Sequence, residues 1–303
     1  MDWGVNKIKK RRKHKKRRKQ NIRYLIILGT VLLLLLLLKK CTEKSKDVLP
    51  TLVEGASAFD ISGDILYQLK QISSQIDKDY IEIITLYSLK NNFTVSKDNS
   101  ITEKELYKFC IEETKNIGKK YKKKDMKRLY LMYKQMLKDI GVFPIPNEAQ
   151  YIYADSWEAN RDYKGPRKHL GTDVIDINNS RGNIPIVSMT DGVVERMGWN
   201  EKGGWRVGIR APSGAYFYYA HLDSFSHAIK EGMEIKAGQC IGYMGDSGYG
   251  KEPGTVGNFP VHLHLGIMLD ISFVKGEVWV NPYNILGLAE YNKVNWNPQD
   301  EES

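Results

Sequence analysis

Residues 261–269 read VHLHLGIML, and in them His262 and His264 alternate with Val261, Leu263 and Leu265. Side chains two residues apart on a strand leave the same face. The stretch therefore predicts a strand that sends both imidazoles into one space while its aliphatic residues pack a core. Outward from it, the same period of two recurs in "GVVERMGW" (192–199), "WRVGIRAP" (205–212), "AYFYYAHL" (215–222) and "CIGYMG" (240–245). Gly, Asn, Asp and Pro separate these runs. Short alternating strands between such turns predict a mostly antiparallel β domain, placed here at residues 144–290.

Pro144 and Pro146 mark its start, because proline is excluded from a helix interior. Upstream the period changes. In "ILYQLKQISSQI", "YIEIITLYSL", "TEKELYKFCIEETKNI" and "KRLYLMYKQMLKDI" apolar residues recur at spacings of three and four, which predicts three to five amphipathic helices over residues 59–143. The segment "SITEKEL" supplies a start signal, with Ser100 or Thr102 as the cap and acids in the first turn. No chemistry-bearing motif falls in these helices, so they read as a stalk or docking module that can take protein partners. Residues 39–58 read as a linker and 291–303 as a loose acidic tail. The fold class is α+β.

The chain carries 46 Lys and Arg against 36 Asp and Glu, a formal charge of +10. That excess is confined to one end. Residues 1–23 hold 12 basic side chains and one acid, Asp2, so the remainder is nearly neutral. The tail runs into 15 uninterrupted apolar residues, Tyr24–Leu38, closed by Lys39 and Lys40. A bilayer span takes roughly 17 to 25 residues, and flanking Lys and Arg extend a short one by reaching for the headgroups. The residues before Cys41 lack the small side chains of a signal-peptide cleavage site. The expectation is a single uncleaved transmembrane helix over 24–38 in a cell membrane, with residues 1–23 cytoplasmic and the rest outside. The basic tail then faces anionic lipid, and nucleic acid is not an expected partner. Cys41, Cys110 and Cys240 contain no C-x-x-C pair and do not read as a zinc cluster.

Five of the six histidines lie in the β region, and four of them fall in three short motifs. His169 and Asp173 sit in "KHLGTDVID", read as a turn entering a strand. His221 ends the aromatic strand "YFYYAHL". His262 and His264 complete the set. A hydrolytic zinc site takes three nitrogen or oxygen ligands and leaves a fourth position open. Two His and one Asp satisfy that demand, and two further His remain for acid–base work. Spacing leaves open which of His262 and His264 would bind metal. His227 matches no motif and reads as a solvated loop residue. Tyr218, Tyr219, Trp199 and Trp205 are candidates for the cleft or the core, and Asp176 and Asp223 either orient a histidine or lie at the surface.

In this order, H-x-x-x-D, a lone His, then H-x-H, the motifs resemble those of the lysostaphin-type or LytM-domain peptidoglycan endopeptidases. The resemblance extends over about residues 148–288 and includes "DGVVERMGW", "GYMGDSGYG" and "VNPYNIL". It implies Zn²⁺ held by His169, Asp173 and His264, with His221 and His262 as the unligated catalytic pair. It also implies hydrolysis of peptide bonds in peptidoglycan. The competing expectation is a catalytically silent scaffold or regulator of wall hydrolysis, as in relatives that have lost ligands.

Overall fold

The computed structural model describes residues 29–30, 49–93 and 101–296. The basic tail and nearly all of the apolar stretch 24–38 lie outside the described residues. Among those described, no helix is long and apolar enough to cross a membrane.

The helical region begins earlier than its sequence reading. Helix α1 (Leu49–Ala58) occupies the second half of the expected linker, with Leu52 and Ala56 buried. Apolar residues four apart in a segment opened by proline near its start suffice to make a helix once a core is available to cover them. Next come α2 (Gly63–Gln75), α3 (Tyr80–Lys90), α4 (Glu103–Lys108), α5 (Thr114–Gly118) and α6 (Lys123–Leu137). Helices α4 and α5 are joined by a π-helical turn over Phe109–Glu113. Thr102 caps α4 in a full capping box: its hydroxyl accepts from Glu105 N, and the Glu105 carboxylate accepts from Thr102 N at 2.8 Å. Thr102→Ala is therefore expected to cost about 1 kcal/mol of unfolding free energy, read as a lowered denaturation midpoint with unchanged slope.

The second region is a ten-stranded sheet whose pairings are all antiparallel. Its path runs β1 (Tyr151–Tyr153), β4 (Thr172–Asp176), β11 (His262–Leu269), β8 (Tyr216–Phe225), β7 (Gly204–Arg210), β6 (Gly192–Asn200) and β9 (Glu234–Ile235). Strand β10 (Cys240–Met244) joins β5 (Pro185–Val187) to β8, and β12 (Val278–Val280) adds to β11. A separate hairpin pairs β2 (Asn160–Arg161) with β3 (Arg167–Lys168). A last helix, α7 (Tyr283–Ala289), returns to the helical layer.

The helical and β regions share one apolar core. Phe59 and Tyr133 meet at 5.6 Å between ring centres, and Gly63 of α2 lies 3.3 Å from where a Cβ on Gly287 of α7 would stand. Polar clamps fix the seam. Gln135 of α6 donates to Asp270 O at 2.6 Å and accepts from Asp270 N at 2.8 Å, and Asn281 N donates to Ser57 O. Residues 291–296, expected to be loose, form a strap instead. Phe143 N donates to Asn292 O, Asn147 N donates to Val294 O, and Trp296 stands edge-on to Tyr243. Cys110 is a buried thiol and the Cys240 thiol donates to Gly242 O at 3.6 Å; neither lines the cleft that holds the histidines.

Candidate active site

Two neighbouring strands bring the first elements of the site together. Strand β11 pairs with β4 so that His264 lies opposite Asp173 and His262 opposite Ile175. The i, i+2 rule then puts His262, His264, Asp173 and Ile175 on one face, and all four line a cleft of 310 Å³. On the other face Leu263 and Leu265 are fully buried.

His169 arrives from the turn before β4. Its Nε2 lies 3.0 Å from Asp173 Oδ1 and 2.9 Å from His264 Nδ1, which is itself 3.0 Å from the same carboxylate oxygen. Among the described residues these three are the group able to hold a metal ion. Gly171 makes the approach possible, since a Cβ there would meet His264 Cε1 and Leu265 O at 2.5 Å.

His221 reaches the cleft by a different route. Strand β8 does not end at it, as the aromatic run suggests, but continues to Phe225. Plain alternation would send His221 to the core face with Tyr219. A β-bulge intervenes. Trp205 pairs with Leu222 and Val207 with Tyr219, so two residues of β8, Ala220 and His221, oppose Arg206 alone. His221 takes φ +64°, a left-handed conformation that costs a non-glycine residue about 1–2 kcal/mol. The bulge turns its imidazole into the cleft, 4.7 Å from His262 between ring centres.

Backbone carbonyls orient three of the four rings. His169 Nδ1 lies 3.0 Å from Ser156 O, His221 Nδ1 lies 2.7 Å from Ser247 O, and His262 Nδ1 lies 2.7 Å from Pro260 O. A carbonyl only accepts, so each Nδ1 carries a proton, and in the neutral form of the ring Nε2 keeps its lone pair. His264 is the exception, offering Nδ1 to the cluster. Burial alone would raise the Asp173 carboxyl, but hydrogen bonds from His169 and His264 and the charges of His264 and His262 hold it well below the usual carboxylate range. Burial lowers His264 and, with the neighbouring His262 and His264, pushes His221 well below the ordinary imidazole value. Asp173 is thus held as a carboxylate while burial disfavours a charge on His264, the protonation states a cation requires of these two ligands.

The remaining candidates are sorted by burial. Tyr218 lines the cleft, its phenol pushed up to about 12 by burial. Tyr219 belongs to the core, its hydroxyl accepting from Met189 N. Trp199 and Trp205 stack edge-on with each other outside the lining. Asp176 accepts the Asn178 and Ser180 backbone amides, and Asp223 faces Arg181, so neither orients a histidine. His227 is exposed. Residue type alone did not mark Arg161, Arg167, Tyr249 and Phe259, which also line the cleft. Arg161 Nη2 donates to Asp173 Oδ2, the oxygen turned away from the cluster.

Comparison with known proteins agrees with this arrangement. Residues 167–282 match the model of peptidase family M23. The L-Ala–D-Glu endopeptidase of Bacillus subtilis is 45% identical over 134 residues, 44% of this chain and 40% of that protein. Lysostaphin of Staphylococcus simulans is 32% identical over 111 residues, 36% of this chain and 20% of that protein. The chain thus spans well under half the length of these relatives. A crystal structure from Ruminococcus gnavus, provisionally named a glycyl-glycine endopeptidase LytM, is 39% identical and superposes with a TM-score of 0.62. That match covers 80% of this chain and 92% of the other, so it takes in helical region and β domain together. On these matches, the chain belongs to peptidase family M23.

Proposed function

We propose that this protein is a zinc-dependent endopeptidase that hydrolyses peptide bonds in peptidoglycan. The observation that carries the reading is the meeting of His169 Nε2, Asp173 Oδ1 and His264 Nδ1 at 2.9–3.0 Å, beside two further imidazoles in one cleft. Tetrahedral zinc with ligands at about 2.0–2.2 Å sets neighbouring donors roughly 3.3 Å apart, a spacing the cluster needs only a small expansion to reach. The two nitrogens and one oxygen also suit zinc chemically. Bound there, zinc supplies a Lewis acid that polarises a carbonyl and makes water acidic enough to attack near neutral pH.

The chain's own groups do the rest. His221 and His262 each commit an Nδ1 proton to a backbone carbonyl and leave Nε2 for the cleft, and burial keeps the His221 ring neutral. One such nitrogen takes the proton from an attacking water and returns it to the leaving amine. The Tyr218 phenol, kept protonated by burial, can donate to a developing oxyanion. Asp173 is held in place by Arg161 on its second oxygen.

The names of the relatives point to the substrate class: one cuts between L-Ala and D-Glu, another is named for glycyl-glycine bonds. A silent scaffold would be expected to lack a donor, and all five positions are filled here. In this reading residues 24–38 anchor the chain in the membrane, residues 1–23 remain cytoplasmic, and the cleft works on the wall outside. The exposed helical surface is left for protein partners. The test is release of new amino groups from purified peptidoglycan by the full chain in detergent, before and after chelation. Release that stops on chelation and returns with zinc supports the reading. Absence of release by zinc-loaded protein on several wall types would sink it.

A further inference from the structure

The small hairpin at the mouth of the cleft carries an arrangement that folding does not ask for. Its four paired residues set Arg161 directly opposite Arg167 and Asn160 opposite Lys168. Like charges facing each other across a strand pair are destabilising. Both arginines nevertheless line the cleft, and Lys202 joins them from the β6–β7 turn. Asp173 is the single acid in that lining, against these three cations. Glu201, next to Lys202 in sequence, is already paired to Lys164.

Nor are the cations saturated. The Arg161 side chain is one-third exposed and gives one nitrogen to Asp173, and among the described residues that side chain makes no other hydrogen bond. Arg167 donates Nη2 to the Tyr249 hydroxyl at 2.7 Å and lies over its ring, while its Nε is buried with no partner. A buried donor left unpaired is costly unless something arrives to fill it. Tyr163, stacked on Tyr249 at 4.2 Å, stiffens the same wall. Guanidinium groups are suited to carboxylates, which they bind through parallel, charge-assisted hydrogen bonds.

We infer that Arg161, Arg167 and Lys202 form a carboxylate-recognition rim, which selects peptides bearing a free acidic group beside the scissile bond over neutral ones. The inference rests on the peptidase reading and narrows it from peptidoglycan peptides in general to acidic stem peptides. Glycine bridges and amidated stems would lack the group that the rim binds. Arg161 serves here also as a positioning residue for Asp173.

The test uses two dye-labelled stem peptides that differ in one group: a D-glutamate with a free α-carboxylate, and the same residue amidated. Binding is read by fluorescence anisotropy on the full zinc-loaded chain carrying His262→Ala, which holds both peptides uncleaved. The carboxylate form is expected to bind at least tenfold tighter, with the ratio shrinking in 0.5 M salt, roughly as screening demands. Arg167→Gln should bring the ratio close to one, and Arg167→Lys should retain part of it. Lys202→Gln, an exposed change that leaves the fold alone, should lower it as well. Equal binding of the two peptides overturns the rim, as does a ratio that neither Arg167→Gln nor Lys202→Gln moves. Turnover of the same pair by the unmutated chain separates the two claims. Cleavage of both at one rate rejects the rim and keeps the peptidase. Tight, carboxylate-dependent binding without cleavage of either keeps the rim and rejects the peptidase.

Discussion

Gly171→Ala is expected to weaken zinc binding by roughly a hundredfold and to remove peptidoglycan hydrolysis with it, in a chain that still folds. The position lies in the turn that delivers His169 to Asp173. A methyl group there would sit 2.5 Å from His264 Cε1 and 2.7 Å from His264 Nε2. It would also sit 2.5 Å from Leu265 O, a backbone atom held in the β4–β11 ladder, so the turn has no cheap direction of retreat. Either the His264 ring rotates or the turn lifts, and in both cases the three donors separate. Overpacking of this kind costs about 1–3 kcal/mol, which a domain of this size survives. Metal content by mass spectrometry and a thermal melt check the two halves of the claim. Full zinc occupancy with normal turnover would mean that the His264 ring is not where the cluster needs it.

His221 gives the second large effect. His221→Ala is expected to lower kcat by roughly 10²–10⁴-fold with zinc content unchanged, because the imidazole shares the cleft but not the donor cluster. The bulge adds a second readout. At φ +64° alanine is strained as histidine is, whereas glycine is not. His221→Gly should thus be as inactive as His221→Ala, yet more stable by about 1 kcal/mol. Equal stability of the two variants would show that the left-handed conformation is not maintained in solution, and unchanged kcat in either would remove His221 from the chemistry.

How much of this could be read in advance follows from what each feature is made of. Strand β11 announced itself through alternation, because the same pattern that buries Leu263 and Leu265 must expose His262 and His264. Thr102 was legible because a capping box is written in residue types three apart. The bulge at His221 was not. It is a mismatch of register between β7 and β8, and "YFYYAHL" has no glycine to betray a left-handed residue. Helix α1 was concealed for another reason: ten mostly small and apolar residues are helical only once the shared core takes up Leu52 and Ala56 and Phe93 lies against Gly55. The strap at 291–296 depends on backbone bonds to residues near 143 and 147, which composition does not encode. Of the two readings of Asp176 and Asp223, the histidine-orienting one failed similarly. Carboxylates are sought as partners for histidine because they are visible in sequence, but the partners in this cleft are carbonyls, which every residue possesses.

That last fact bears on how the protein tolerates change. A carboxylate that steadies an imidazole can be lost in a single codon change. The main-chain oxygens of Ser156, Ser247 and Pro260 cannot. Any amino acid at those three places still offers the oxygen, provided the loop keeps its course. Damage to ring orientation then comes through changes that bend the loops: insertions, deletions, glycine replacements, or loss of the Ser247 hydroxyl that ties its loop to Trp205 and Leu222. A mutational scan should find exposed Pro260 the most tolerant of the three, and Ser247 the least, because its buried hydroxyl also accepts from Trp205 N and donates to Leu222 O.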